Sequence, residues 1–274
     1  MLSYSTIKIE TSEMIDPSRN PFMFRNKRKL INLVKYFLRL NKHKVYGRVA
    51  CLGRDVFDLR YPVGHKIILI NQQKVRVDLF MDWASGATRP RVEQLRKYIL
   101  RQDIYPLIEE QSTSQWKGGD DALYFFMDSF SELSDQKFTH KKEGWSFCCH
   151  YGDIDHESDF KDHFDCYGLL PINEIEKAYG LFFDWIEKKF PGKKVYFTHF
   201  PTKLDERDIY KERGSEILRI MLKLQESKPY IKNVYISDEL VFENENDSFP
   251  YHYSKNTYSS FLDQWCKIGG SGDS

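Results

Sequence analysis

His252 stands five residues after Asp247, and the run Ala50-Cys51-Leu52-Gly53-Arg54-Asp55 packs a thiol, a guanidinium and a carboxylate around a small-residue turn. Histidine, cysteine, arginine and carboxylates are residue types that can take part in proton transfer, nucleophilic attack or anion binding. Further polar residues close apolar runs: Asp128-Ser129 after ALYFFM, His199 in KVYFTHF with Pro201, Lys203 and Asp205 behind it, and Ser237-Asp238-Glu239 after IKNVYIS. A second cluster, His150, Asp153, Asp155, His156, Asp159 and His163, has imidazole and carboxylate ligands at metal-site density. Its spacing matches no standard motif, and it reads as a polar loop, so neither a metal nor a cofactor is expected. The adjacent thiols of GWSFCCH, Cys148 and Cys149, read as packed strand residues. No GxxxxGK[ST] and no GxGxxG occurs, which leaves nucleotide-dependent readings without support.

These residues must be positioned by elements, and the hydrophobic periodicity supplies them. Strands are expected at 45–52 (VYGRVACL), 66–71 (KIILIN), 74–80 (KVRVDLF), 122–127 (ALYFFM), 194–200 (KVYFTHF) and within 230–237. Pro90 opens a helix expected to run through Leu107. Asn173 and Glu176 form a capping pair for a helix with Ile175, Tyr179, Phe182 and Ile186 on one face, ended by Pro191-Gly192. Helices are also expected over 206–227, with Ile217, Ile220, Met221 and Leu224 as its stripe, and over 257–267. Strands alternating with helices imply an α/β fold, a three-layer sandwich with a central, mainly parallel sheet. The polar stretch 129–170 is expected to be an excursion over the strand ends. In such sheets ligands bind beyond the carboxyl ends of the strands, where the residues named above fall.

The chain of 274 residues suffices for one full core. Its net charge of +1 gives no reason to expect nucleic acid as a partner. Five cysteines without CxxC spacing read as reduced thiols of a cytoplasmic protein. Residues 25–44 carry eight Lys and Arg, no acid, and Leu30, Leu33, Val34, Phe37 and Leu38 at helical spacing. This basic amphipathic helix either docks on the core or lies on an anionic membrane, at its inner face. Residues 1–44 are therefore an N-terminal extension, 45–268 a single domain, and 269–274 a disordered tail.

Three blocks, VACLGRDVF, FTHFPTKLDERDIYKERGSEI and FPYHYSKNTYSSF, resemble the SGNH (GDSL-type) hydrolases. More narrowly they are similar to a bacterial SGNH-like family that accompanies surface-polysaccharide and cell-envelope biosynthesis. The resemblance spans roughly residues 45–265 and implies a flavodoxin/SGNH-like fold. It also implies acyl transfer, with a serine nucleophile in the first block and the late histidine as its base. Aligned on Cys51, Arg54 and Asp55, the serine position is Ala50. Serine chemistry is then lost, or position 50 was altered to trap a substrate, or Cys51 or Ser85 has taken over. The superfamily's aspartate three residues before the histidine is replaced by Phe249, which leaves Asp247 or Asp238 to orient His252. Its Gly-x-Asn-Asp block is absent, and Asp128-Ser129 holds the comparable strand end.

On this reading His252 is the base, and the turn from Ala50 to Gly53 with Gly86 supplies oxyanion donors. Arg54 holds a substrate carboxylate or phosphate. Ser85, Asp128, Ser129 and His199 border the substrate, and Tyr251, Tyr253, Trp83 and Trp145 stack on sugars. The function implied is an esterase or O-acyltransferase for a cell-envelope carbohydrate or an acylated small molecule. The alternative is a non-catalytic carbohydrate-binding or assembly protein on the same fold; a glycosyltransferase is the third reading.

Overall fold

Residue types decide which strands lie at the centre. β3 (Ala122–Asp128) is apolar on both sides, and so needs helices over both of its faces. In the computed structural model, which describes residues 43–113, 116–247 and 249–269, it is the middle strand of a five-stranded sheet. The others are β1 (His43–Arg48), β2 (Ile67–Asn71), β7 (Val195–Thr198) and β8 (Ile231–Val234). Their order is β2-β1-β3-β7-β8, and every pairing is parallel. That is the doubly wound order of flavodoxin-like sheets, with the switch point between β1 and β3. The expected α/β architecture with a mainly parallel central sheet is what forms.

Helices cover both faces. α1 (Cys51–Arg60) packs on α8 (Lys255–Gly269), while α2 (Val77–Ala84), α6 (Ile172–Lys189) and α7 (Asp208–Ser227) pack in sequence on one another. Neighbouring residues of β3 serve the two sides: Phe126 stacks on Trp265 of α8 at 4.4 Å, and Phe125 meets Trp116 and Phe190. The predicted stripes of α6 and α7 are buried.

Local expectations fail where burial overrides periodicity. Residues 74–80 alternate like a strand, yet Val77, Leu79, Phe80 and Trp83 are all buried, and the chain is helical from Val77. The helix expected from Pro90 to Leu107 is instead two 3-10 turns followed by the short α3 (Tyr105–Glu109). α6 starts after Pro171 with no side-chain cap, so the Asn173–Glu176 pair does not cap it. The stretch 129–170 is no polar excursion. After α4 (Phe130–Ser134) it builds an antiparallel sheet of β4 (Asp135–His140), β5 (Ser146–His150) and β6 (Phe164–Gly168), in the order β5-β4-β6, with α5 (Phe160–His163) before β6. This sheet and the 92–108 segment share a second core around Phe138, Trp145, Phe147 and Phe160. The basic segment 25–44 lies outside the described residues except His43 and Lys44, which belong to β1. Among the described residues no helix is long and apolar enough to cross a membrane.

One buried charge ties these layers together. Arg48, the last residue of β1, grips Glu132 of α4 with both arms, at 2.8 and 3.1 Å, and both side chains are about fully buried. Tyr179 of α6 accepts from Arg48 at 2.6 Å and donates to Glu132 at 2.5 Å. The Val77 N–H donates to Glu132 at 2.8 Å, and Arg48 also donates to the Val75 carbonyl. Losing one member of such a pair leaves an uncompensated buried charge, which costs about 3–5 kcal/mol. Glu132→Gln should therefore lower the melting temperature by roughly 6–20 °C, at about 2–4 °C per kcal/mol for a chain of this size. Thermal unfolding followed by circular dichroism measures it, and a shift under about 2 °C would show that the network is dispensable.

Candidate active site

The carboxyl ends of β1 and β3 meet at the switch point, and the backbone there is fixed from both sides. β1 stops at Arg48, four residues short of the expected strand's end at Leu52, and Ala50 is already the residue before α1. The Asn71 amide at the end of β2 clasps Val49, accepting from its N–H at 2.9 Å and donating to its carbonyl at 2.7 Å. Asp128 at the end of β3 accepts from Ala50 N–H at 2.5 Å and from Phe130 N–H at 3.1 Å. Gly53 is required at the third step of α1, because a Cβ there would sit 2.6 Å from the Val49 Cβ and 3.1 Å from Asp128 Oδ2.

A cavity of about 340 Å³ opens beside this turn. Ala50 and Cys51 border it on one side, and Asp247, Phe249 and His252 border it on another. The His252 Nδ1 lies 2.5 Å from Asp247 Oδ2, and this contact draws the Asp247 carboxyl below its ordinary range. Both residues are partly exposed. The structure thus brings Ala50, Cys51, His252 and Asp247 to one cavity. A carboxylate on one ring nitrogen fixes the tautomer and leaves the other available for proton transfer.

Asp238 does not share in this. It sits in an exposed turn, and its carbonyl accepts from Lys203. Cys51 is partly buried with its Sγ 3.7 Å from the Tyr251 carbonyl oxygen, and burial pushes its thiol up to about 12. Ser85 and Gly86 follow the C-terminal end of α2. A crossover helix runs back along the sheet, so they fall away from the rim where Val77 begins it. Arg54 is exposed and pairs with Asp58 one helical turn on, at 2.7 Å. His199 is buried against Asn233 at 2.9 Å, and burial lowers its pKa to about 4. Ser129 accepts from the Phe200 N–H at 3.1 Å. The predicted sugar-stacking residues Tyr251, Tyr253, Trp83 and Trp145 are all buried, and Tyr251 and Tyr253 spend their hydroxyls on Asp205 and the Pro201 carbonyl. Gly53 and Asp128 shape the turn rather than face a ligand. In the histidine-rich segment, His150 accepts from Gly152 N–H, His156 bonds the Tyr151 carbonyl, His163 meets Asp159, and Asp153 pairs with Lys74.

Sequence reasoning missed the cavity's remaining wall. Gln73, Lys74, Arg101, Asp103, Ile104 and Leu107 line it. Nothing in their spacing marks them, since they come from a strand-end loop, from the distant turn that leads into α3 and from α3 itself. The periodicity puts Lys74 at the start of a strand. It is instead a buried cation between Asp135 and Asp153 at 3.3 and 3.4 Å, and although burial opposes its charge, the two carboxylates hold its pKa above the usual lysine value.

No family model matches the chain, and no curated protein matches it. Among solved structures it is similar to a Streptococcus pneumonia protein named for platelet activating factor, at 9% identity and a TM-score of 0.43, over 90% of this chain and 98% of that one. It is also similar to the lipase Lip_vut3 from a goat rumen metagenome, at 12% identity and a TM-score of 0.39, over 85% of this chain and 99% of that one. At such scores nothing further is drawn from either.

Asp128 gives the turn a pH dependence. Burial pushes its carboxyl up to about 7, against the Phe130 and Ala50 N–H groups and the Arg48 charge that pull it down. The folded state therefore holds this proton more tightly than the unfolded chain does. Its contribution to stability is complete below about pH 4 and is lost as pH rises through about 7. Asp128→Asn cannot titrate, so the fall in melting temperature between pH 4 and 7 should flatten in that variant. Parallel melting-temperature curves for variant and parent across the window would rule this out.

Proposed function

We propose that this chain is an SGNH-type ester-handling protein for an O-acylated carbohydrate, one that keeps the base of the reaction and carries alanine in place of its nucleophile. The observation that carries this reading is the His252–Asp247 pair facing the same cavity as Ala50, at the residue preceding the first helix after β1. A serine at position 50 would project from a strand-to-helix turn, where its hydroxyl could be deprotonated by His252 as it attacks an ester carbonyl. The Ala50 N–H is already given to Asp128, so it does not serve an oxyanion. α1 begins without a side-chain cap, and its first-turn amides remain as donors, with the positive end of the helix dipole behind them. With alanine there, the chain binds its ligand without forming an acyl-enzyme. Ala50 thereby favours the binding-protein form of this reading over a working esterase or acyltransferase.

Two features support an acylated sugar. The cavity is at the small end of the range for ligand sites, which suits a short acyl group and not a long lipid chain. Its wall combines apolar Ile104, Leu107, Phe130 and Phe249 with polar Gln73, Lys74, Arg101 and Asp103, matching an ester with a polyhydroxylated alcohol.

Ala50→Ser is the deciding variant. It should hydrolyse 4-nitrophenyl acetate and take up a fluorophosphonate probe at position 50, and the chain with Ala50 should do neither. Adding His252→Ala should reduce that turnover by about 10²–10⁴-fold, the usual share of a general base. An Ala50→Ser protein that is folded, inert to the ester and unlabelled by the probe would remove the hydrolase ancestry and leave a binding protein of other origin.

A further inference from the structure

One wall of the cavity is backed by a buried carboxylate. Asp153 follows β5 and is almost fully buried. One of its oxygens lies 3.4 Å from Lys74 Nζ, and the other lies 3.8 Å from Arg101 Nη1. It thus holds two cations from separate segments beside each other at the cavity. The first contact is a hydrogen bond. The second is too long for one, and such a gap is where an intervening oxygen belongs. The rest of Arg101 is committed outward, with Nε and Nη2 on the two oxygens of Asp103, at 3.4 and 2.6 Å. Lys74 gives two of its three N–H groups to Asp135 and Asp153.

The charge balance decides what this wall can take. Two cations, Lys74 and Arg101, and two carboxylates, Asp103 and Asp247, line the cavity, and two further carboxylates, Asp135 and Asp153, lie buried behind Lys74. An anionic group entering there would meet more negative than positive charge. A neutral polyol would not, since hydroxyls accept from the cations and donate to the carboxylates in turn. Phe249 adds an exposed aromatic face at the same cavity, packed edge-on to His252 at 4.9 Å between ring centres. It is the exposed aromatic that the buried Tyr251 and Tyr253 are not.

We propose that the Asp153-clamped pair Lys74–Arg101 recognises neighbouring hydroxyls of a neutral sugar whose ring lies on Phe249, and that the wall rejects phosphorylated or carboxylated sugars. This rests on the cavity being the ester-handling site, and it names what confers specificity there.

The chain as it stands, with Ala50, suits a binding measurement because no turnover complicates it. Calorimetric titration would compare the O-acetylated methyl glycoside of a neutral hexose with the same glycoside bearing a phosphate. The neutral ligand should bind, and the phosphorylated one should bind at least about 10-fold more weakly. Arg101 is largely exposed, so Arg101→Ala should fold as the parent does, with melting temperature as the check. It should weaken the neutral ligand by about 10- to 100-fold, the loss of one charge-assisted hydrogen bond. Phe249→Ala should weaken it too. Tighter binding of the phosphorylated ligand, no binding of either ligand, or an unchanged affinity in Arg101→Ala would each overturn the proposal. An inert Ala50→Ser protein with neutral-glycoside binding intact would remove the hydrolase reading alone. An active Ala50→Ser protein with Arg101→Ala binding like its parent would remove this specificity alone.

Discussion

Glu132 is a carboxylate with almost no access to water, and its charge is held by Arg48 from the end of β1, the Tyr179 hydroxyl from α6 and the Val77 N–H at the start of α2. A buried ion of this kind is tolerable only with all its partners in place, because each missing partner leaves desolvated charge unanswered. Four segments distant in sequence must therefore arrive together. Arg213 of α7 extends the tie, donating to the Glu132 carbonyl at 2.7 Å and to the Leu170 carbonyl at 2.6 Å. What this network fixes is the carboxyl end of β1, and with it the turn on which the cavity opens.

From that fixed point the site follows by short steps. Val49, clasped by Asn71, and Ala50, bonded to Asp128, are held between the two strands that flank β1. The crossovers that leave β1 and β3, through α1 and α6, run on opposite faces of the sheet, which opens a crevice at this rim in doubly wound folds. The tight packing of Gly53 on Val49 lets α1 start at once, so position 50 sits at the tip of the turn. A reactive side chain there would be presented with little freedom. The alanine found there leaves the geometry of presentation without the group to present.

The antiparallel sheet β5-β4-β6 has a part in the site as well. Its own core holds the 92–108 segment against it, and that segment carries Arg101, Asp103, Ile104 and Leu107 to the cavity. Asp135 and Asp153, at the start of β4 and just after β5, reach back to Lys74. The second core therefore builds one wall of the cavity, while the parallel sheet supplies the other.

The sequence by itself determined the elements whose burial is continuous or regular. ALYFFM could only be a strand covered on both faces, and the stripes of α6 and α7 could only be helices against a sheet, because apolar periodicity is a local property that the solvent enforces. It also marked His252 and Ala50, through the resemblance of their blocks to a known family. Only the tertiary structure decided which carboxylate reaches His252, since Asp247 is the nearer along the chain but Asp238 stays open as an alternative until one loop closes onto the imidazole. It likewise decided that residues 77–84 are a helix, because alternation at 74–80 fits a strand until both its sides are buried. Arg48, Glu132, Lys74 and Asp153 carry no local signal at all. Their meaning lies in distant partners, such as Asp135 at 61 residues from Lys74 and Tyr179 at 131 residues from Arg48. Charge pairing at such separation depends on where the folded chain puts them.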